Sequence, residues 1–276
     1  MEAQLFHIFR NNPLGRETLL QSIFFSKRLG ASLVIYIPKF TKFLMYFEND
    51  VVQIDLDASY LTSPDTAQAH AAELVEQGGV TARFLEPKHY TASTLPDIQT
   101  NFDFMACPRS ISDLSSKIGL GYIGPRVRRI VNSARFPVLI TSPVYKEWKS
   151  VLVFFGGSAN ALKALKLGLR ICRESGGMPL DIFTQINKMP METYEKAIAD
   201  EKLEDEMKQF LNKWHVFETG TLEENLYNVP HDSLVVLGAY GHGFIKNMFF
   251  GSKLEKIQST ISNNLLIVGP NYTATG

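Results

Sequence analysis

The chain has 276 residues, of which 45% are hydrophobic, and its 28 basic residues are balanced by 28 acidic ones. This length is typical of two domains, and the hydrophobic content is enough for two cores. The balanced charge lacks the electrostatic footprint of a nucleic-acid binder, and no uninterrupted apolar run reaches membrane-spanning length. We therefore expect neither a nucleic acid nor a membrane as partner.

The N-terminus and the two cysteines favour a cytoplasmic location. Residues 1–7 lack the basic start and the long apolar core of a signal peptide. Cys107 and Cys172 stand in apolar, strand-like and helix-like contexts, where a cysteine serves as a small buried hydrophobe. The histidines show no metal-ligand spacing. We predict a reducing, cytoplasmic setting and no metal site.

The predicted elements occur in the same order twice, as strand, helix and strand. Their ranges in the first and second halves are 5–9, 17–29 and 32–37, then 151–155, 159–174 and 180–186. Strands alternating with helices through short connections are typical of a parallel sheet covered on both faces. Each half is therefore predicted to be α/β, with a five-stranded, mainly parallel sheet flanked by helices.

The later parts of the two halves also correspond. Residues 103–107 match the place of 232–237, Gly124 and Pro125 match Gly251 and Ser252, and 137–141 match the final strand over 264–269. The offsets stay between 127 and 129 residues. We predict two tandem domains, residues 1–145 and 146–276.

An inserted aromatic segment and a cluster of arginines stand out in the first half. The segment Phe40–Phe47 is rich in aromatic and aliphatic residues, and it could cover the sheet, dock on the other domain or form a homodimer contact. Packing within the chain is the preferred interpretation. The arginines at 126, 128, 129 and 135 are expected to form a solvated helix face rather than a polyanion site.

The clearest functional pattern is glycine spacing near the end of the chain. Gly238, Gly241, Gly251 and Ser252 follow an apolar strand over 232–238 and precede a stretch with helical spacing over 253–261. A strand, a glycine-rich loop and a helix N-terminus together present backbone N–H groups and the positive end of a helix dipole to an anion. This arrangement predicts a phosphate site.

This Gly-x2-Gly-x9-Gly-Ser spacing, followed by a closing strand, resembles the nucleotide loop of the universal stress protein family. The resemblance implies two tandem Rossmann-like domains of the adenine nucleotide alpha hydrolase-like type. It also implies a stress-response regulatory protein that binds ATP or a related adenine nucleotide, alone or with Mg²⁺. Ligands of such sheets bind beyond the carboxyl ends of the strands, at the switch point.

Five more residues are predicted to contribute to this site. Gly156, Gly157 and Ser158 follow the first strand of the second domain, and Ser158 is expected to cap the next helix. His242 follows Gly241, and Lys253 stands in the first helical turn, where a cation is favoured only beside an anion. Members of the family that bind nucleotide commonly have an aspartate where this chain has Gly156. Phosphate binding is therefore better supported than recognition of adenine.

The first domain is predicted to be degenerate. Taking Gly124 as the counterpart of Gly251 puts Leu114 and Ile111 where the second domain has Gly241 and Gly238. The glycine cluster Gly119, Gly121 and Gly124 could hold a different ligand, but a surface loop is preferred.

No catalytic residue is predicted. Nucleophilic catalysis needs a serine or cysteine beside a base, and the chain has no Gly-x-Ser-x-Gly motif. At most a weak ATPase is expected. The alternatives are a slow nucleotide hydrolase, or a scaffold or dimerisation protein that binds no nucleotide.

Overall fold

The structure is a computed structural model, and it describes residues 2–56, 63–87, 94–109, 111, 123–186, 189–239 and 261–273. These residues form two compact units, and the chain passes from the first to the second between Lys146 and Glu147. No helix within the described residues is long and apolar enough to cross a membrane.

The first unit contains eight strands and three helices among its described residues. In chain order they are β1 (Gln4–Ile8), α1 (Pro13–Leu29), β2 (Ser32–Tyr36), β3 (Lys42–Phe47), β4 (Asp50–Asp55), α2 (Pro64–Gly78), β5 (Ala82–Phe84), β6 (Asp97–Gln99), β7 (Phe104–Cys107), α3 (Pro125–Ser133) and β8 (Val138–Ile140). Five of the strands form a parallel sheet in the order β8-β7-β1-β2-β5. Helix α1 packs on β1, β2 and β7.

Helix α1 begins four residues earlier than the sequence predicts. Asn12 is the N-cap, its side-chain oxygen accepts a hydrogen bond from Gly15 N at 2.7 Å, and Pro13 fills the first helical position. Proline is favoured there because its missing N–H would have no partner within the helix. The helix ends at Gly30, whose φ of +60° suits glycine.

The aromatic segment of the first half is a strand rather than a plain connection. Strand β3 forms an antiparallel hairpin with β4 and pairs in parallel with β6, giving a small second sheet. Phe43, Met45 and Phe47 are buried, and the Phe43 ring meets the Tyr36 ring edge-on at 5.1 Å. These side chains therefore pack within the first unit, while Phe40 is 54% exposed.

Three of the four clustered arginines form ion pairs with this hairpin instead of facing water alone. Arg129 contacts Asp50 through Nε at 3.0 Å and a terminal nitrogen at 2.6 Å. Arg126 pairs with Asp55, and Arg135 pairs with Glu48. We call this set of three ion pairs the hairpin clasp. These ion pairs attach the hairpin to α3 and to the residues after it. Carboxylates of the same unit therefore balance part of the arginine charge.

The second unit has five strands and four helices among its described residues. They are β9 (Ser150–Phe154), α4 (Ala159–Glu174), β10 (Leu180–Gln185), α5 (Met191–Asp200), α6 (Glu204–Phe210), β11 (Leu211–Phe217), α7 (Leu222–Asn225), β12 (Ser233–Gly238) and β13 (Leu265–Val268), with a 3-10 turn at Leu226–Asn228. All five strands are parallel, in the order β11-β10-β9-β12-β13.

In the neighbouring strands β9 and β12, the buried residues 151–154 and 234–237 are all apolar, as is typical of a sheet covered on both faces. Helix α4 packs on β9, β12 and β13, and Gly168 lets it lie close to the sheet, where an added Cβ would be 2.5 Å from a methyl of Val153. The predicted α/β class, with mainly parallel strands flanked by helices, is confirmed.

Candidate functional site

The candidate site of the second unit lies where its strand order reverses. From β9 the chain continues to β10 and β11 on one side, whereas β12 and β13 lie on the other. Strands β9 and β12 are direct neighbours, with Val151 opposite Leu234. A crevice opens beyond the carboxyl ends of two such strands, because the connections leave them in opposite directions.

The turn after β9 brings a helix N-terminus to this crevice. Ser158 is the N-cap of α4, and its hydroxyl oxygen accepts a hydrogen bond from Ala161 N at 3.2 Å. Gly157 has a φ of +70°, a left-handed conformation that L residues with side chains rarely adopt. The first turn of α4 holds no acidic residue, so no carboxylate offsets the positive end of its dipole.

Gly238, at the end of β12, is packed tightly against the start of α4. An added Cβ would lie 2.5 Å from the carbonyl carbon of Asn160 and closer still to its oxygen. Because the obstacle is backbone, it cannot swing aside as a flexible side chain could. The packing of β12 against α4 therefore requires glycine at 238, in addition to the phosphate-binding role predicted from the glycine spacing.

One side chain joins the two loops at the crevice. The amide nitrogen of Asn160 donates a hydrogen bond to the carbonyl oxygen of Ala239 at 2.6 Å. Ala239 is 1% exposed, and its own N–H donates to Val268 O at 2.8 Å. The carbonyl and the N–H of Ala239, the residue that follows β12, are thus both hydrogen-bonded.

Two consecutive hydrogen bonds fix the position of the backbone at the end of β9. Trp214 Nε1 donates to Thr184 Oγ1 at 2.9 Å, and Thr184 Oγ1 donates to the carbonyl oxygen of Phe155 at 2.9 Å. Thr184 is fully buried. These hydrogen bonds cross from β11 through β10 to the residue directly before Gly156, and so fix the other wall of the crevice.

The position of Gly156 is open. An added Cβ would meet no atom within 4 Å, and the residue has intermediate exposure. A side chain such as the aspartate that the resemblance implies would therefore fit there. This chain supplies no carboxylate at that point.

Of the nine predicted site residues, the structure brings four together. Gly156, Gly157, Ser158 and Gly238 lie at the adjoining ends of β9 and β12. The remaining five lie outside the described residues, namely Gly241, His242, Gly251, Ser252 and Lys253.

Neither cysteine supplies a nucleophile. Burial raises the pKa of the Cys172 thiol to about 12 and raises that of Cys107 further still. A thiol becomes reactive only as the thiolate, so both remain protonated at neutral pH. Both are free and buried, as their apolar sequence contexts predict.

The first unit fills the corresponding place with a side chain. Its helix cap Asn12 corresponds to Ser158, which puts Arg10 at the place of Gly156. Arg10 is 6% exposed, and one of its terminal nitrogens lies 3.5 Å from the carbonyl oxygen of Ile111. The strand register, with Leu5 opposite Phe104, puts Pro108 at the place of Gly238, so the predicted correspondence of Ile111 to Gly238 is three residues too late.

Comparison with known proteins agrees with the predicted resemblance, although no family model matches this chain. A universal stress protein of Synechocystis sp. (strain PCC 6803), Slr1230, is 25% identical over 195 residues. The match covers 68% of this chain and 66% of that protein, just under two thirds of its length. A universal stress protein from Archaeoglobus fulgidus has the same fold, with a TM-score of 0.62 and 16% identity over 96% of this chain and 98% of that one.

The chain is similar to universal stress proteins in sequence and in fold. A putative universal stress protein from Pseudomonas aeruginosa also matches, with a TM-score of 0.57 and 10% identity over 98% of this chain and 94% of that one. The cytoplasmic domain of a prokaryotic cation chloride cotransporter matches with a TM-score of 0.55 and 11% identity, over 97% and 95% of the two chains. The universal stress protein fold therefore occurs in proteins of different roles, and function has to be argued from the site.

Proposed function

We propose that this chain is a tandem universal stress protein with a regulatory role in stress response. Residues 146–276 bind ATP or a related adenine nucleotide, alone or as its Mg²⁺ complex. Residues 1–145 form a degenerate domain without an equivalent site. The protein acts in the cytoplasm, as its two free, buried thiols favour.

The observation that carries this proposal is the meeting of two loops at the switch point of the second unit. The turn Gly156–Ser158 and the pair Gly238–Ala239 lie at the ends of neighbouring parallel strands. Helix α4 starts at the same place, so its free N–H groups and dipole favour a negatively charged ligand. The predicted phosphate residues Gly241, Gly251 and Ser252 continue the chain from this point.

The described side chains favour recognition of phosphate over recognition of the base. Asn160 and Thr184 are engaged with the backbone carbonyls of Ala239 and Phe155. Gly156 contributes no carboxylate for the adenosine part. Binding energy is therefore expected to come mainly from backbone N–H groups around the phosphates.

The asymmetry between the two units supports a single nucleotide site. Arg10 occupies, with a buried side chain, the place that is open at Gly156. Pro108 takes the place of Gly238 and has no N–H to donate. A nucleotide would have to displace the Arg10 side chain from the crevice of the first unit.

A regulatory role fits better than efficient catalysis. Within the described residues, no group of three or more histidine, cysteine or carboxylate side chains could hold a metal ion. The thiols are protonated, and no serine next to a base is predicted at the crevice. Slow hydrolysis and a nucleotide-free scaffold or homodimer remain the alternatives that experiment separates.

Calorimetric titration of the intact chain with ATP tests the proposal. We expect one ATP per chain, and loss of binding in Gly251→Val, because a side chain there blocks the approach of the backbone to phosphate. The matched control is Gly124→Val, the same change at the counterpart in the first half, which should leave ATP affinity intact. Two ATP molecules per chain, or unaltered affinity in Gly251→Val, would contradict the assignment.

Mass spectrometry of small molecules released from the purified protein separates the alternatives. Release of an adenine nucleotide would support the proposal. A different ligand, or none together with no calorimetric signal, would support the scaffold or homodimer interpretation.

A further inference from the structure

Asn160 is the side chain that connects the start of α4 to the end of β12. It occupies the second position of the helix, and its amide nitrogen lies 2.6 Å from the carbonyl oxygen of Ala239. The partner is a carbonyl oxygen, which can only accept, so the amide must present its NH₂ group. Asn160 therefore acts here as a donor.

The contact depends on the close approach of two backbones. Gly238 has no side chain, and the main chain of Asn160 lies where its Cβ would be. This approach brings the Asn160 amide within reach of Ala239, one residue further on. Glycine at 238 and asparagine at 160 thus form one arrangement.

The bond fixes the point at which the chain leaves the sheet. Ala239 is buried, so without Asn160 its carbonyl would lose a partner away from water. The N–H of Ala239 is already bound to Val268. With both groups held, the chain leaves β12 in one direction relative to the N-terminus of α4, which carries the other half of the site.

The first unit has no such donor. Its helix α1 starts with Pro13 after the cap Asn12, so Leu14 stands at the second position, and a leucine side chain cannot donate a hydrogen bond. The donor is thus found in the unit that also carries the glycine spacing, and it is missing from the corresponding helix position of the unit with Arg10 in the crevice.

We propose that Asn160 is a positioning residue for the nucleotide site, holding the exit of β12 against the N-terminus of α4 so that both loops face one phosphate group. This inference rests on the proposed function. A preformed arrangement spares the ligand the cost of ordering the loop, so its loss weakens binding without removing any group that touches the ligand.

Three variants of the intact chain separate positioning from general stability. Asn160→Ala removes the donor, Asn160→Asp keeps the shape but replaces the donor with an acceptor, and Asn160→Gln keeps a donor on a longer side chain. The control is Ser175→Ala, which removes a 2.6 Å bond from Ser175 Oγ to Ile171 O at the other end of α4. ATP affinity is measured by calorimetry and the melting temperature by scanning calorimetry.

We expect Asn160→Ala to lower ATP affinity about tenfold, which corresponds to about 1.4 kcal/mol. Asn160→Asp should lose at least as much at neutral pH, and Asn160→Gln should recover part of the affinity. Ser175→Ala should bind ATP as the parent does, with a melting temperature similar to that of Asn160→Ala.

The pH profile provides a readout that a purely structural role would not move. A carboxyl group becomes a donor when protonated, with an ordinary pKa of about 4. Relative to the parent at each pH, Asn160→Asp should therefore regain ATP affinity as the pH falls from 7 to 4.5, whereas Asn160→Ala should not.

The failure of this inference can be told apart from the failure of the proposed function. If the parent binds one ATP and Asn160→Ala binds it within twofold of the parent, Asn160 is not a positioning residue and the function stands. Equal losses in Asn160→Ala and Ser175→Ala would also overturn the inference, because they would reflect stability alone. If the parent binds no ATP, the proposed function is wrong, and the inference, which rests on it, is wrong as well.

Discussion

Two glycines of the candidate site have opposite surroundings. A Cβ on Gly238 would run into the backbone of Asn160, whereas a Cβ on Gly156 would meet nothing within 4 Å. Both were predicted from the sequence as places where backbone approaches a ligand. The structure adds that only one of them is also required by the packing of strand against helix.

Gly238→Ala should therefore destabilise the protein, and Gly156→Ala should not. Forcing a methyl group against a fixed backbone costs about 1–3 kcal/mol in a well-packed region. Gly156→Ala, with open space and a backbone conformation outside the left-handed region, should change the free energy of unfolding by less than about 0.5 kcal/mol. Urea denaturation of both variants measures the difference. Equal stability of the two would show that Asn160 can move away.

Lys253 belongs to the part of the predicted site that lies outside the described residues. If its side chain faces bound phosphates, Lys253→Ala should weaken ATP more than adenosine and flatten the salt dependence of ATP binding. The expected loss is about 1 kcal/mol or less, because backbone N–H groups still hold the anion. Titrations of ATP and adenosine at two salt concentrations check this. Equal weakening of the two ligands would place Lys253 in solvent.

At the scale of elements, the hairpin clasp attaches the β3–β4 hairpin to α3. Asp50 accepts two bonds from Arg129 and one from Ser133 Oγ at 2.6 Å. These bonds hold the pKa of the Asp50 carboxyl at about 2, below its ordinary value of 3.8, with the Arg129 hydrogen bond as the largest cause. The Arg129–Asp50 pair of the clasp is therefore an acid-sensitive contribution to stability.

The sign of this effect predicts how stability depends on pH. A carboxyl whose pKa is lower in the folded state stabilises the fold above its unfolded pKa, near 3.8, and that contribution is lost as the pH falls through about 2. Asp50→Asn should remove it, so the variant should lose less stability than the parent between pH 5 and pH 2.

Urea midpoints across that pH range measure the difference, which should be at most about 1 kcal/mol because the pair is partly exposed. The control is Asp205→Asn, since the Asp205 side chain is 96% exposed and pairs with Lys208 three residues away. This control should follow the acid dependence of the parent. An identical dependence in all three proteins would mean that the Arg129–Asp50 pair contributes nothing to the acid dependence.

The sequence predicts the apolar elements better than the polar ones. The neighbouring strands β9 and β12 each contain a continuous apolar run of at least four residues, and their predicted ranges agree with the structure to within a residue at each end. Strand β11 mixes polar, aliphatic and aromatic residues without regular alternation and has several exposed positions, and β5 has only three residues, so no pattern locates either of them. Both are edge strands of their units. An edge strand is more exposed to solvent than a central one, so its side chains need not all be apolar.

At the scale of the whole chain, ATP should protect one unit and leave the other unchanged. A ligand that binds only the folded form slows the local opening of the segments it contacts. In hydrogen exchange of the intact protein, ATP should therefore slow exchange in peptides covering residues 156–162 and 235–239. Peptides covering residues 10–16 and 104–109 are the internal control. Equal protection of both sets would argue for a second site in the first unit.

The candidate site could be predicted from the sequence only in part. The spacing of glycines and the cap Ser158 are local features, so they can be recognised in the linear sequence. Asn160 gives no such signal, because its partner Ala239 lies 79 residues away and meets it only once the sheet has formed. The same holds for Arg10, whose correspondence to Gly156 becomes clear when the two helix caps are compared.

The hydrogen bond from Trp214 to Thr184 gives the protein an optical probe of its own crevice. The chain has only two tryptophans, Trp148 and Trp214. The indole N–H of Trp214 connects through one threonine hydroxyl to the carbonyl beside Gly156, so a ligand that shifts this strand end will change the polarity around the ring. Emission should shift when ATP is added to the parent and stay constant in Trp214→Phe. Stopped-flow fluorescence could then time the arrival of the ligand without any attached dye.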